Sequence, residues 1–148
     1  MMSIGELSRR TGVKVPTIRY YEQTGLIAPA ERSAGNQRRY GKDHLARLSF
    51  IRHSRQLGLS IEAIRELVEF SATPNMPCER AHRIARAHLD VVSARIVQLQ
   101  RLQAELVRIA AVSDNGDIGQ CQVIEALSGH HLCDGEHVAA RPVDTAAW

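Results

Sequence analysis

Val15-Pro16-Thr17-Ile18-Arg19-Tyr20-Tyr21-Glu22-Gln23-Thr24-Gly25 is the stretch from which the rest of the chain is read. Proline in the first turn of a helix costs no hydrogen bond, because its missing N–H would have had no helical partner there. Pro16 therefore opens a helix, and Gly25 ends it. Just upstream lies Ser3-Ile4-Gly5-Glu6-Leu7-Ser8-Arg9-Arg10-Thr11-Gly12. Ser3 caps with Glu6 three residues on, Ile4 and Leu7 face inward, and Gly12 closes the turn. Two short helices joined by a Gly-containing turn form a helix-turn-helix pattern, although many helical bundles contain the same turn.

The chain beyond Gly25 sharpens that reading. Pro29 bars regular helix, and Ala34-Gly35-Asn36 is a turn signal, so residues 31–40 fit a small β-hairpin. Arg32 stands on one arm, with Arg38, Arg39 and Tyr40 on the other. Such a ribbon beside a helix-turn-helix is a wing able to grip phosphates; without the preceding helices it would read as a solvated basic loop. Residues 43–57 continue with helical spacing at Leu45, Leu48 and Ile51, stopped by Gly58. Ser60 caps a further helix with Ala63, Ile64 and Leu67 inward, and Thr73-Pro74-Asn75-Met76-Pro77 breaks the chain.

From Cys78 to about Ala111 there is neither Gly nor Pro. Apolar residues recur at Ala85, Leu89, Val92, Ile96, Leu99, Leu102, Leu106 and Ile109, in steps of four and three, which is a coiled-coil seam. A lone helix cannot bury its own stripe. The chain beyond it offers only a polar loop, Ser113 to Gln120, and one short helix, Cys121 to Leu127, so a homodimer through the long helix is the economical solution. An intramolecular bundle is the alternative. Residues 138–148 read as a disordered tail.

The 148 residues carry 44% apolar and 24% charged side chains, an ordinary globular composition. No apolar run approaches the roughly 18 residues of a membrane span. Glu6 stands where a signal peptide would have its apolar stretch, so a cytoplasmic location without membrane attachment is expected. Net charge is +3, but it is divided unevenly. Residues 1–70 hold twelve Lys+Arg and seven Asp+Glu, a net of +5; residues 71–148 carry −2. All three tyrosines lie in the first part and all three cysteines, Cys78, Cys121 and Cys133, in the second. A basic, Tyr-bearing head suits an anionic polymer, and a Cys/His-bearing end suits a metal or a redox signal.

Ile4-Gly5-Glu6-Leu7-Ser8, Gly12-Val13, Thr17-Ile18-Arg19-Tyr20-Tyr21-Glu22, Gly25-Leu26 and Gln37-Arg38-Arg39-Tyr40 together resemble the MerR family of bacterial transcription regulators. The likeness continues through Gln56-Leu57-Gly58-Leu59-Ser60 and the long helix, over about residues 2–128. It implies a mostly α chain: a winged helix-turn-helix head, a long antiparallel coiled-coil dimerisation helix, and a short C-terminal helix. The corresponding segments are 1–72 for DNA binding, 73–111 for the coiled coil, 112–137 for an inducer (metal)-binding loop, short helix and Cys/His segment, and 138–148 for the tail. The resemblance also implies a mechanism. A homodimer sits on double-stranded promoter DNA whose spacer is too long, and inducer binding distorts that spacer so that RNA polymerase can initiate.

The residues permit this physically. Arg19 and Tyr20 on the second helix can reach a groove edge and a phosphate. Arg32, Arg38, Arg39 and Tyr40 on the wing, with Lys14 and Thr17, can add contacts; Tyr21 fits a DNA contact or the core equally well. Leu89, Val92, Ile96, Leu99, Leu102, Leu106 and Ile109 form the expected dimer seam. His44 and His53 read as surface residues.

Resemblance to the metal-sensing branch rests on Cys78 before the long helix, on Cys121 in a Cys-x-x-Ile-Glu-x-Leu pattern, and on the Cys/His end. Cys78 and Cys121 flank a helix roughly 50 Å long at about 1.5 Å per residue, so they cannot share a metal within one chain. An antiparallel partner would bring Cys78 of one chain beside Cys121 of the other. Thiolates and imidazoles suit Zn(II), Cd(II), Hg(II), Pb(II) or Cu(I). Copper(I) relatives usually have Ser where Cys78 stands, which tilts the reading to divalent ions, zinc first. Zinc wants four ligands. Cys78 of the partner and Cys121, with two of Cys133, His130, His131 and His137, can supply them; Asp114 and Asp117 are oxygen donors in reserve. Metal-sensing relatives usually carry a Cys where this chain has Ser113; either Cys133 replaces it, or the site is degraded or retuned. Replacement would give a three-thiolate site suited to Hg(II), Cd(II) or Pb(II).

A thiol-redox or electrophile sensor using Cys121 or Cys133 is the alternative on the same fold, and a DNA-binding protein without an inducer is another. An enzyme is not expected, because no nucleophile–base pair, phosphate loop or paired carboxylate stands at a useful spacing.

Overall fold

The computed structural model describes residues 1–112 and 114–129. The chain divides into two compact units, and the boundary falls between Ile84 and Ala85.

The first unit begins with α1 (Ile4–Thr11) and α2 (Val15–Gln23), continues through the hairpin β1 (Glu31–Arg32) and β2 (Arg38–Arg39), and then runs through α3 (Lys42–Gln56) and α4 (Ile61–Ser71). The caps read from the sequence are formed. Ser3 Oγ accepts from the Glu6 N–H at 3.2 Å, and Ser60 Oγ accepts from the Ala63 N–H at 3.1 Å. Gly12 ends α1 in the left-handed region at φ 70°, and its N–H donates to the Ser8 carbonyl. The Arg52 side chain on α3 lies against that turn, where a Cβ would collide with its guanidinium, and it donates to the Thr11 carbonyl. Glycine is thus required twice over at position 12, by φ and by space. Arg65 on α4 plays the matching part for α2, donating to the Thr24 carbonyl at 3.1 Å. Positive charge at the C-terminal ends of both helices answers their unpaired carbonyls.

Leu7, Ile18, Leu26, Ile27, Tyr40, Leu48, Ile51 and Ile64 are fully buried, so every helix of the head and the wing's exit contribute to one core. Met2 and Tyr40 form an isolated antiparallel bridge, with N–H to carbonyl distances of 2.8 and 2.9 Å in the two directions. The start of the chain is thereby fastened to the end of the wing. In the hairpin Glu31 pairs with Arg39 and Arg32 with Arg38; Asn36, at φ 60°, makes the left-handed step of the turn. Asparagine tolerates that conformation better than most residues. Just beyond the break that follows α4, Arg80 stacks over the Phe70 ring of α4 at 4.9 Å.

Helix α5 (Glu79–Ala110) runs 32 residues without a break. In the second unit it is followed by a 3-10 turn, Ile118–Gln120, and by α6 (Gln122–Gly129). Glu105 and Ile109 near the end of α5 and Ala126 on α6 are buried. Most of the α5 stripe is open: Leu89 is 61% exposed and Leu106 61%, with Val92, Ile96 and Leu99 also exposed. Among the described residues no helix is long and apolar enough to cross a membrane.

Candidate nucleic-acid interface and sensor region

The helix-turn-helix presents one side of α2 to solvent because the other side is consumed by the core. Ile18 and Tyr21 are buried, which leaves Lys14, Arg19, Tyr20 and Gln23 exposed and Thr17 half-buried. Tyr20 is 53% exposed, its ring 5.9 Å from that of Tyr21. Arg32 and Arg38 are exposed on the wing and Arg39 is half-buried. Arg32 Nη1 donates to Asn36 Oδ1 at 2.6 Å across the turn, which fixes the guanidinium at the wing tip. Lys14, Arg19, Arg32, Arg38 and Arg39 therefore offer an open cationic surface from α2 and the hairpin of one unit, of the kind that positions a protein on a phosphate backbone.

Tyr40 is placed differently from the expectation, and Tyr21, which by sequence fits a DNA contact or the core equally well, lies in the core. Tyr40 is fully buried and Tyr21 is 4% exposed, so neither ring is available to DNA as a free surface group. For Tyr40 the correction has a clear cause. The Met2 bridge draws the residue inward, the ring meets His44 edge-on at 5.3 Å, and the phenol O–H donates to Glu22 Oε2 at 3.3 Å. Tyr21 occupies the inward face of α2 one turn from Gly25, and its carbonyl is the acceptor for both Leu26 and Ile27 N–H groups. Burial pushes both phenols above their ordinary range; for Tyr40 the neighbouring Glu22 carboxylate adds to the effect.

Sequence reading misses Glu22 and misjudges His44. Glu22 Oε1 accepts from the Ala30 N–H at 2.9 Å, and its carboxylate lies 3.8 Å from Arg38 Nε. His44 is half-buried rather than free. Its Nδ1 accepts from the Gly41 N–H at 3.1 Å and its Nε2 meets the Ala28 carbonyl at 3.2 Å. The one available signal for Glu22 is its spacing: it stands four residues after buried Ile18 and so lies on a half-covered helix face. His53 is exposed, as expected.

In the sensing half, Cys78 is exposed immediately before α5. Cys121 is half-buried and its carbonyl accepts from the Glu125 N–H at 3.1 Å, so it opens α6. Asp114 and Asp117 are exposed. Cys133, His130, His131, His137, Ser113 and the expected tail lie outside the described residues. Among the described residues of one protomer, no three His, Cys, Asp or Glu side chains are gathered as a metal site. Of the seam positions, Leu99, Leu102 and Leu106 line an apolar groove along α5 with Gln103, Val107 and Ala110. Ile109 is already covered within its own protomer, unlike the exposed seam residues before it.

Comparison with known proteins agrees with this layout. Residues 2–71 match the MerR HTH family regulatory protein, and residues 45–109 match the family described as MerR, DNA binding. The chain is 39% identical over 130 residues to the HTH-type transcriptional regulator ZntR of Escherichia coli, covering 86% of this chain and 92% of that protein. It is 34% identical over 128 residues to a probable heavy metal-dependent transcriptional regulator of Haemophilus influenzae, covering 86% of this chain and 100% of the other. Among solved structures it resembles the transcription regulator PbrR691 of Ralstonia metallidurans in complex with lead(II), at 33% identity and a TM-score of 0.75, covering 86% of this chain and 99% of that one. With helix-turn-helix, wing and long helix in the same order, the chain belongs to the MerR family of transcription regulators and is a regulator rather than an enzyme.

Proposed function

We propose that the chain is a metal-responsive activator that binds promoter DNA as a homodimer and takes a thiophilic divalent ion, zinc first, as its inducer. Exposed Arg19 and Tyr20 on α2 serve the groove, and Lys14, Thr17, Arg32, Arg38 and Arg39 serve the phosphates. At about four phosphates per protomer, log affinity should fall against log salt with a slope near −7. Anchoring on that scale is needed, because bending and untwisting a spacer costs on the order of several kcal/mol. The open stripe of α5, Leu89 through Leu106, is the dimer seam in an antiparallel pairing.

The observation that carries the metal reading is the placing of two thiols: Cys78 exposed before α5 and Cys121 opening α6. The site is placed across two chains in this reading because α5, 32 residues and roughly 50 Å at about 1.5 Å per residue, separates Cys78 from Cys121 along one chain. Cys78 of one protomer and Cys121 of the other would hold the ion, with Cys133, His130, His131 or His137 completing it. A thiophilic cation bound there would cross-link the ends of the coiled coil; PbrR691, to which the chain is similar, was solved in complex with lead(II). Distortion of the promoter spacer and initiation by RNA polymerase then proceed by the family mechanism.

The test is run-off transcription from the protein's own promoter with Zn(II), Cd(II), Pb(II), Hg(II) or Cu(I), with metal content measured on the purified dimer. Activation by divalent ions, lost in Cys78→Ser while DNA affinity stays within a few-fold, is the expected result. Indifference to every metal combined with a response to diamide would replace this reading with a thiol-redox sensor.

A further inference from the structure

We infer that Glu22 is a positioning residue that fastens the wing to the recognition helix, so that α2 and the hairpin meet DNA as one surface. The inference rests on the DNA-binding reading of that surface. Glu22 projects from α2 one turn after fully buried Ile18, and its side chain is only 16% exposed. One carboxylate reaches both ends of the hairpin. Oε1 accepts from the N–H of Ala30, the residue entering β1, at 2.9 Å; Oε2 accepts from the O–H of Tyr40, the residue leaving β2, at 3.3 Å. Arg38 Nε, within β2, lies 3.8 Å away.

The wing needs such a fastening. Its strands are two residues each, and a hairpin of that size does not hold its place unaided. Other ties act at one end or the other: at the exit the Met2–Tyr40 bridge, the burial of Tyr40 in the core and its ring contact with His44; at the entrance the packing of Ala30 on the core and the His44 contacts with the Ala28 and Pro29 carbonyls. Glu22 bonds at both ends. Its sign is also informative. A solvated carboxylate on this basic surface would repel phosphate, whereas one turned inward onto two hydrogen-bond donors, with the Arg38 guanidinium nearby, directs its charge to the wing.

The two roles predict opposite signs. If Glu22 were only a charge near the DNA, Glu22→Ala would tighten binding. As a fastening, its loss frees the wing and weakens binding. The experiment uses the full-length protein and a duplex of about 30 base pairs enriched by the wild type from a random pool, with affinity measured across a salt series. Glu22→Ala should lower affinity about tenfold and flatten the salt slope by about 0.9 for each phosphate the wing ceases to neutralise. Arg39→Ala should then cost far less in the Glu22→Ala background than in the wild type, because a free wing no longer delivers Arg39. Unchanged or tighter binding, or full additivity of the two substitutions, overturns the inference. Amide exchange at Ala30 in the DNA-free protein reports the fastening independently. It should accelerate in Glu22→Ala and be largely retained in Glu22→Gln, which keeps an acceptor for that N–H; unaltered protection in Glu22→Ala also overturns it. Should the wild type enrich no duplex, the DNA-binding reading fails, while the exchange result still decides the role of Glu22. If Glu22→Ala does not fold, Tyr40→Phe takes its place in the salt series, with a smaller drop in affinity in the same direction expected and unchanged or tighter binding again decisive against it.

Discussion

The head and the long helix use similar side chains in opposite ways. In the head, Leu7, Ile18, Leu48, Ile51 and Ile64 are fully buried against one another from four helices. Along α5, Leu89, Val92, Ile96, Leu99 and Leu106 repeat with equal regularity and stand exposed. The first set has satisfied its hydrophobic requirement within the chain; the second awaits a surface. At about 1.5–3 kcal/mol for each large apolar side chain taken fully out of water, five open positions are a strong drive to associate. A continuous apolar stripe of this kind is an interaction surface rather than ordinary exposure.

Breaking the stripe should have the largest effect. Leu99→Asp with Leu106→Asp places charge in the seam of both protomers. It should convert the protein to a monomer by analytical ultracentrifugation and lower DNA affinity by more than a hundredfold, while the head keeps its urea transition. Disappearance of the head's transition as well would mean that the two regions are not independently stabilised. The complementary change is Leu48→Ala in the head. It should cost about 2–5 kcal/mol in the head's urea unfolding, the range for a buried leucine, and leave the dimer associated. A dissociated Leu48→Ala protein would erase the contrast between the regions.

Smaller effects sharpen the description of the DNA-facing surface. Arg19→Ala should weaken DNA binding by about 1–3 kcal/mol, roughly five- to 150-fold, without altering dimerisation or the unfolding midpoint. An unchanged affinity would remove Arg19 from the interface. The smallest effect concerns pH. The folded-state pKa values of Tyr21 and Tyr40 lie above the ordinary 10.0, so the folded head holds their protons longer than the unfolded chain. The stability they contribute is fully present below pH 10 and declines as pH rises through the folded-state values. In Tyr40→Phe this alkaline decline, tracked by urea unfolding at successive pH values, should be shallower.

How far each feature is legible in the sequence depends on the range of the interaction behind it. Ser3, Gly12, Ser60 and Asn36 act on backbone groups within four residues, so the ends of α1 and α4 and the wing turn can be read from neighbours in the chain. The seam of α5 is readable too, because helical periodicity is a local property. Tyr40 reads as a surface contact yet is buried, since its position depends on Met2, thirty-eight positions away, and on a carboxylate of another element. Glu22 and His44 escape a reading of the sequence for the same reason: each takes its role from partners at separations of 8 to 18 residues.

The sensing end extends this lesson. The positions of Cys78, Cys121 and the His/Cys segment can be written down from the chain, but a ligand set is a matter of proximity, and the donors expected here come from two chains. Helix boundaries, caps, the apolar stripe and the basic head are set by forces acting along the chain or by composition, and the amino-acid order is sufficient for them. Which tyrosines are exposed, how Arg52 and Arg65 close the helix ends, and what holds the wing to α2 depend on groups meeting across 41 residues or between separate elements. Those are decided by packing, because no local preference favours one distant partner over another until the core has formed.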